Sequence, residues 1–235
     1  LQPETGRLGG DISLKNRTVV MRVQADDPGL MRGNVYQEYT GSEWRAGSYR
    51  GVTQYSMEGD ALGSALLSDL PSGEYLRPMF ESLASRQNVQ VQIRRRTRRL
   101  FTSDKAFGLQ GITDDASQVS CNEAGELYTG SSVAADYRYS YETWRLDAYG
   151  PDFLETMRQL TDHAALAGDP QYDAIYAQYT ALPDSLPQNV YDMAVVMAGG
   201  AHNPYEQMVN MEHYLRTNYR YTLTPGNVPR GRDFV

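Results

Sequence analysis

The chain contains few residues equipped for nucleophilic or metal chemistry. Its 235 residues include one cysteine, Cys121, and three histidines, His163, His202 and His213. Metal sites need such ligands at fixed spacings, and a nucleophile needs a base within hydrogen-bonding reach. These four residues match neither arrangement, and a single cysteine excludes an internal disulfide and a cysteine-based zinc site. We therefore predict no catalytic residue, no metal site and no cofactor in this chain.

Each of the four residues has an ordinary structural interpretation. His163 falls near the end of a predicted helix, where the dipole favours a histidine. His213 shares a helix with Glu212 but lacks the second histidine, four residues away, of a zinc-binding helix. His202 lies just before a predicted helix cap. Cys121 lies in a turn-rich β segment with no helix N-terminus to stabilise a thiolate.

A run of arginines is the most concentrated charged feature. It comprises Arg94, Arg95, Arg96, Arg98 and Arg99. Clustered arginines attract anions such as lipid headgroups or cell-wall phosphates. The competing interpretation is a solvated strand face or a strand edge protected against aggregation, and we favour it.

Tyrosines form the second candidate feature. The chain has 18 Tyr against 5 Phe, and tyrosine is the aromatic residue that can lie half-buried with its hydroxyl in water. Tyr137, Tyr139 and Tyr141 alternate with polar residues in a predicted strand. Together with the arginine run they make up a possible binding surface.

The first two-thirds of the chain is predicted to be β structure because apolar residues alternate with polar ones. The predicted elements are a strand over residues 17–25, a second strand over 30–40 that forms a hairpin with it, a mostly irregular segment over 47–73 with a short helix near 61–67, a long strand from 89 to 101, and a last strand from 137 toward 146. Turns separate these elements. We expect a sandwich or a curved antiparallel sheet.

Helical spacing begins after residue 149. Four helices are predicted: one opening at Pro151, a short one around Tyr172 to Tyr179, one opening at Pro187 and stopped by Gly199-Gly200, and one capped by Asn203 with Pro204 in its first turn. The fold class is therefore α+β. We place a β-rich domain at residues 1–148 and a helical segment at 149–235.

Charge and hydropathy limit the class of partner. A net charge of −7 argues against nucleic acid, which is normally bound by a basic surface. No apolar run approaches the roughly 20 residues of a membrane span, so we expect a soluble chain. Residues 1–10 lack both an initiator Met and the features of a signal peptide. We interpret the chain as a piece excised from a longer protein.

Two stretches resemble the transglutaminase-like membrane proteins of bacteria. The first, from residue 8 to residue 44, includes Leu30-Met31-Arg32-Gly33 and Tyr39-Thr40-Gly41 and follows a loose pattern V-x-R-V then L-R-G-x-x-Y-x-x-Y-T-G-x-x-W. The second, from residue 182 to residue 223, includes Asn203-Pro204-Tyr205-Glu206 and the Y-x-Y-T-L segment Tyr219 to Leu223. The resemblance implies that this segment is a strand leading into the core. The middle, from about residue 47 to 132, carries no match.

The resemblance implies a place within a larger protein. In that family, N-terminal membrane helices precede an extracytoplasmic region that ends in a transglutaminase-like core of the papain-like superfamily. The catalytic Cys lies shortly beyond the segment that Asp233-Phe234-Val235 resembles, and its His and Asp follow later. The resemblance thus implies a chain cut before the catalytic Cys, located on the extracytoplasmic face of the bacterial cell membrane.

Three functions follow as hypotheses. The first is a non-catalytic accessory region that positions the downstream core of the same chain and shapes the access of a protein or cell-wall substrate. The parent would then be a membrane-anchored cysteine acyltransferase or peptidase. The second is a binding module for cell-wall or protein ligands that uses the tyrosine and arginine faces. The third is a structural spacer.

Overall fold

A computed structural model describes residues 5–7, 18–46, 51–68, 70, 76–111, 118–148, 150–161, 170–201 and 203–227. In chain order the described strands are β1 (Thr5–Arg7), β2 (Met21–Gln24), β3 (Glu38–Tyr39), β4 (Glu43–Arg45), β5 (Val52–Ser56), β6 (Ala84–Ile93), β7 (Thr97–Leu100), β8 (Ala106–Gly111), β9 (Gln118–Asn122), β10 (Leu127–Val133) and β11 (Arg138–Leu146). The described helices are α1 (Ala61–Leu66), α2 (Leu76–Leu83), α3 (Pro151–Thr161), α4 (Pro170–Tyr179), α5 (Gln188–Ala198) and α6 (Pro204–Asn218). The α+β class is confirmed.

The chain forms two compact units. The β unit comprises residues 17–35 and 48–148, and the helical unit comprises residues 1–16, 36–47 and 149–235. The C-terminal part of the helical unit begins at Tyr149, next to the predicted boundary. The division differs from the predicted one because residues 1–16 and 36–47 group with the helices and not with the β unit.

Two four-stranded antiparallel sheets make up the β unit. Their strand orders are β2-β6-β11-β8 and β5-β9-β10-β7. Alternate residues of the central strands β6 and β11 point inward, among them Val89, Val91 and Tyr139, all nearly free of solvent contact. Val119 and Leu127 from the second sheet join the same hydrophobic cluster. The two sheets therefore share one core, and period-2 alternation places the polar residues of each strand on the outer faces.

The predicted hairpin over residues 17–40 is wrong. β2 pairs with β6, with Met21 opposite Ile93. The segment predicted as the second strand contains an isolated bridge between Met31 and Ser103 and the two-residue strand β3. The turn before it is held on the sheet because the Asp27 carboxylate accepts from Gly29 N at 3.0 Å and from Arg145 Nε at 3.1 Å. The chain then runs along residues 102–103 and away from β2.

The predicted long strand over residues 89–101 is divided. β6 and β7 belong to different sheets, and the turn between them is fixed where the Arg94 guanidinium contacts the Asp136 carboxylate. The Arg94 amide also donates to Val20 O at 2.9 Å. Within residues 47–73 the predicted short helix is confirmed as α1. Strand β5 was not predicted, because its sequence, Val-Thr-Gln-Tyr-Ser, shows weak alternation of apolar and polar residues.

The four predicted C-terminal helices are confirmed as α3 to α6. Pro151 opens α3, and Gly199 ends α5 in the left-handed conformation with φ 62°, which glycine adopts without a Cβ penalty. The Asn203 side chain caps α6 by accepting from Glu206 N at 2.9 Å. The helical unit also holds the small sheet β1-β4-β3.

The Y-x-Y-T-L segment does not form the strand that the family resemblance implies. Residues 219–227 are irregular, and the Tyr221 side chain is 85% exposed. A strand needs a partner for its backbone hydrogen bonds, and none of the described strands supplies one. Among the described helices, none is long and apolar enough to cross a membrane.

Candidate functional site

The arginine run does not form one surface. Arg95 and Arg96 are exposed in the turn between β6 and β7. Arg94 contacts Asp136, and Arg98 donates from Nε to Thr129 O at 3.1 Å. Arg99 is only 4% exposed, because alternation along β7 turns it inward. The run is therefore divided between the solvent and the interior.

Arg99 lies at the centre of a buried polar network. Its guanidinium contacts Glu126 Oε1 at 3.1 Å and Asn34 Oδ1 at 2.6 Å. It also donates to Gly33 O and to the Tyr128 hydroxyl, and it lies 5.0 Å from the centre of the Tyr128 ring. A guanidinium occupied in this way is not open to a ligand.

Glu126 completes the network from the other side and is 6% exposed. Its carboxylate accepts from Asn122 Nδ2 at 2.7 Å, from the Tyr128 hydroxyl at 3.0 Å and from Val35 N at 3.0 Å. Burial raises the pKa of the Tyr128 hydroxyl, which keeps it neutral and able to donate. The network fixes residues 33–35 to β7 and β10, so its role is structural.

The expectation that Tyr137, Tyr139 and Tyr141 are half-exposed is wrong. All three are at most 2% exposed, because they occupy the inward positions around β11. The Tyr139 hydroxyl exchanges two 2.8 Å hydrogen bonds with the Phe101 backbone, and the Tyr141 hydroxyl accepts from Ser103 N at 2.9 Å. Burial raises the pKa of both. These tyrosines hold residues 101–103 against the core and present no surface to a ligand.

The candidate nucleophile is also buried. Cys121 is 8% exposed and its thiol donates to Asn122 O at 3.4 Å. Burial raises the pKa of the thiol, which disfavours the reactive thiolate. His213 is exposed on α6, while His163 and His202 lie outside the described residues. Within the described part of the chain no group of three acidic, His or Cys side chains is placed to hold a metal ion.

Sequence reasoning missed a polar array on the outer face of the first sheet. We call it the Arg–Gln array, and its members are Arg22, Gln24, Gln90, Gln92 and Arg138. Strand pairing places Arg22, Gln92 and Arg138 in one row across β2, β6 and β11. Gln24 and Gln90 stand in the next row. A groove of about 390 Å³ runs over the array. The signal was available in the polar positions of the alternating strands.

The other end of this outer face is covered. Phe80 of α2 packs edge-on against Trp144, with ring centres 6.0 Å apart, and Phe107 stacks on the same indole. The Arg86 guanidinium lies 5.0 Å from the centre of the Phe107 ring and pairs with Glu142. The Arg–Gln array lies at the end of the face away from these aromatic rings.

The helical unit exposes several large apolar side chains on α5 and α6. No residue of α5 or α6 is fully buried. We call this the α5–α6 surface, and it consists of Tyr191, Met193, Val195, Val196, Met208, Val209 and Leu215. Single exposed apolar residues are ordinary, but seven of them on two packed helices mark a candidate interaction site.

Two solved structures share this fold, and both are of the periplasmic domain of TgpA from Pseudomonas aeruginosa. One has a TM-score of 0.51 and 14% identity, and it covers 92% of this chain and 62% of that one. The other, bound to ethylmercury, has a TM-score of 0.50 and 13% identity and covers 92% and 63%. This chain thus spans less than two-thirds of the length of the domain it matches. No family model and no curated protein matches the sequence.

Proposed function

We propose that this chain is the accessory, extracytoplasmic front region of a bacterial membrane-anchored transglutaminase-like protein. The observation that carries the proposal is the shared fold: 92% of the chain aligns with a periplasmic domain that is itself longer. The resemblance of residues 8–44 and 182–223 to transglutaminase-like membrane proteins supports the same assignment. The accessory region positions the downstream core and shapes the access of its substrate.

The α5–α6 surface is the docking site for that core in this proposal. Val195 and Val196 are 74% and 63% exposed, and burying such side chains contributes roughly 25 cal/mol per Å² of apolar area. In the sequence resemblance, α6 and the segment after it lead into the core, so the core begins beside this surface. Tyr219 and Tyr221 are also exposed, just after α6.

The catalytic chemistry belongs to the downstream core and not to this chain. A cysteine acyltransferase or peptidase needs a thiolate, a base and a group that orients the base. Cys121 is buried with a raised pKa. The acyl-transfer residues of the parent would therefore come from the core, with the membrane anchor upstream.

The test uses the whole extracytoplasmic region of the parent, assayed for thiol-dependent hydrolysis or transfer of a glutamine amide. Val196→Asp places a charge on the α5–α6 surface, and Val52→Asp is its matched control because Val52 is also 63% exposed but lies in β5 of the other unit. We expect the first variant to lose activity and the second to retain it. A downstream sequence without a Cys, His and Asp series, or equal activity of the two variants, would refute the proposal.

A further inference from the structure

Three segments of the β unit meet at one end of the first sheet. The Arg94 amide donates to Val20 O at 2.9 Å, and the Asp136 amide donates to Ile93 O at 2.7 Å. The residues before β2, the turn after β6 and the turn before β11 are thereby joined backbone to backbone. We call four exposed side chains at this end the basic tip, and they are Val19, Val20, Arg95 and Arg96.

We propose that the basic tip is a contact site for the surface of an anionic phospholipid bilayer. Its place in the cell rests on the proposed function, which supplies a parent anchored in the membrane. The contact itself is separate from the docking surface on the helical unit and from the chemistry of the downstream core. It gives the β unit its own attachment to the bilayer.

The basic tip carries a net positive charge. Residues 18–20, 94–96 and 134–136 contain three arginines and one acid. Arg94 and Asp136 neutralise each other in an ion pair, which leaves the exposed Arg95 and Arg96 as the net charge of the three segments. The chain as a whole has a net charge of −7, but charges more than about 8 Å away are largely screened at physiological salt. Anions close to the tip are therefore attracted.

Aliphatic side chains flank these two cations. Val19 and Val20 are 53% and 54% exposed, and Ala134 and Ala135 are exposed in the adjoining turn. A soluble anion gains nothing from such neighbours. At a bilayer, apolar side chains enter the boundary between headgroups and acyl chains, while guanidinium groups bind phosphate through paired hydrogen bonds. The combination therefore favours a lipid surface over a free phosphate.

A contact of this size is weak when it acts alone. An arginine close to an anionic membrane is worth about fivefold in partitioning, so the two arginines together supply about 25-fold. In the parent, the membrane anchor holds the tip near the bilayer, and a second contact on the same chain benefits from a high effective concentration. The basic tip can therefore orient the β unit although it would not hold the free chain on a membrane.

The experiment is sedimentation of this chain with vesicles that contain phosphatidylglycerol, and with vesicles of phosphatidylcholine alone, at millimolar lipid. Arg95→Gln combined with Arg96→Gln removes the two cations of the tip. The matched control combines Arg216→Gln with Arg220→Gln, which removes two exposed arginines from the helical unit and changes the net charge equally. Thermal unfolding of every variant verifies the fold.

A fluorophore locates the contact independently of the charge variants. It is attached through Val20→Cys, since Cys121 is buried and remains unlabelled, and brominated lipids quench it where it reaches the acyl boundary. Val52→Cys on β5 and Val196→Cys on the α5–α6 surface carry the same label as controls. Glycerol phosphate, a soluble analogue of the headgroup, is added as a competitor to separate a bilayer from a free phosphate.

We expect vesicles with phosphatidylglycerol to bind this chain at least about tenfold more strongly than neutral vesicles. The tip double variant should lose about 25-fold in partitioning, and the control double variant less than about threefold. Quenching should occur at position 20 and not at positions 52 and 196. Absence of binding, equal loss in the two double variants, stronger quenching at position 196 or displacement by glycerol phosphate would each overturn the proposal. The proposed function would survive such a failure, because activity of the parent tests it separately.

Discussion

Glu126→Gln tests whether the buried Arg99 network stabilises the β unit. The substitution preserves the size of the side chain, so it creates no cavity, but it removes the negative charge that faces the Arg99 guanidinium at 3.1 Å. Both side chains are almost fully buried. The variant leaves a guanidinium in the interior with only neutral partners.

The magnitude follows from that burial. Removing one partner of a buried ion pair costs about 3–5 kcal/mol, because the remaining charge has lost water and gained no counterion. Glu126 also accepts from Asn122, Tyr128 and Val35, and the glutamine amide cannot accept from all of them at once. With a urea m value of about 2 kcal/mol/M, the unfolding midpoint should fall by about 1.5–2.5 M.

The assay is urea unfolding followed by tryptophan fluorescence. The chain has two tryptophans, and Trp44→Phe leaves Trp144, which contacts Phe80 and Phe107 in the β unit. Arg99→Met and the double variant complete a cycle. We expect the double variant to cost at least about 1 kcal/mol less than the sum of the single ones, since the pair acts as a unit.

The control is Glu142→Gln, which breaks the partly exposed pair with Arg86. Exposed pairs are worth about 0–1 kcal/mol, so its midpoint should change little. If Glu126→Gln costs no more than Glu142→Gln, or if the cycle shows no coupling, the account of the buried network is wrong.

Three further predictions concern single groups. The Cys121 thiol should react with a disulfide reagent only after the β unit unfolds, since it is buried; rapid reaction in the native protein would contradict this. Burial raises the pKa of Tyr139 and Tyr141 in the folded state, so their contribution to stability is complete below the unfolded pKa of about 10 and declines as pH rises above it. Ultraviolet titration should show these two tyrosines ionising together with unfolding. Reversible ionisation of all tyrosines in the native fold would refute this prediction. Asn203→Ala should destabilise the helical unit by about 1 kcal/mol, as measured by thermal unfolding, whereas Asn203→Ser, which keeps an acceptor, should cost much less; equal losses would show that the cap is not responsible.

The helices were predictable because their signals are local. Pro151, Gly199 and Asn203 act through the backbone of their own turns, and the structure places each of them at the predicted helix end. Alternation also located β2, β6 and β11, whereas β5, β8, β9 and β10 were not predicted. Strand partners were not predicted either, since the pairing of β2 with β6 joins segments about 70 residues apart and depends on contacts that no short window contains.

The candidate site was harder to predict for a related reason. Period-2 alternation identifies two faces of a strand without saying which one is buried. In β11 the tyrosine side chains lie in the interior, and their polar neighbours, among them Arg138, lie on the outer face. The predicted binding face was thus assigned to the wrong side. Likewise Arg99 entered the interior because Glu126, 27 residues later, supplies its counterion.

Thiol labelling of the α5–α6 surface tests the central proposal most directly. Val196→Cys and Val52→Cys are introduced one at a time into this chain and into the longer parent, and alkylation rates are measured by mass spectrometry of the peptides. Both positions are 63% exposed here, so both should label rapidly in the isolated chain. In the parent we expect Val196→Cys to label at least about tenfold more slowly, as burial blocks access to the thiolate, while Val52→Cys is unchanged. Equal labelling of Val196→Cys in both proteins would contradict the proposal that this region docks on a downstream core.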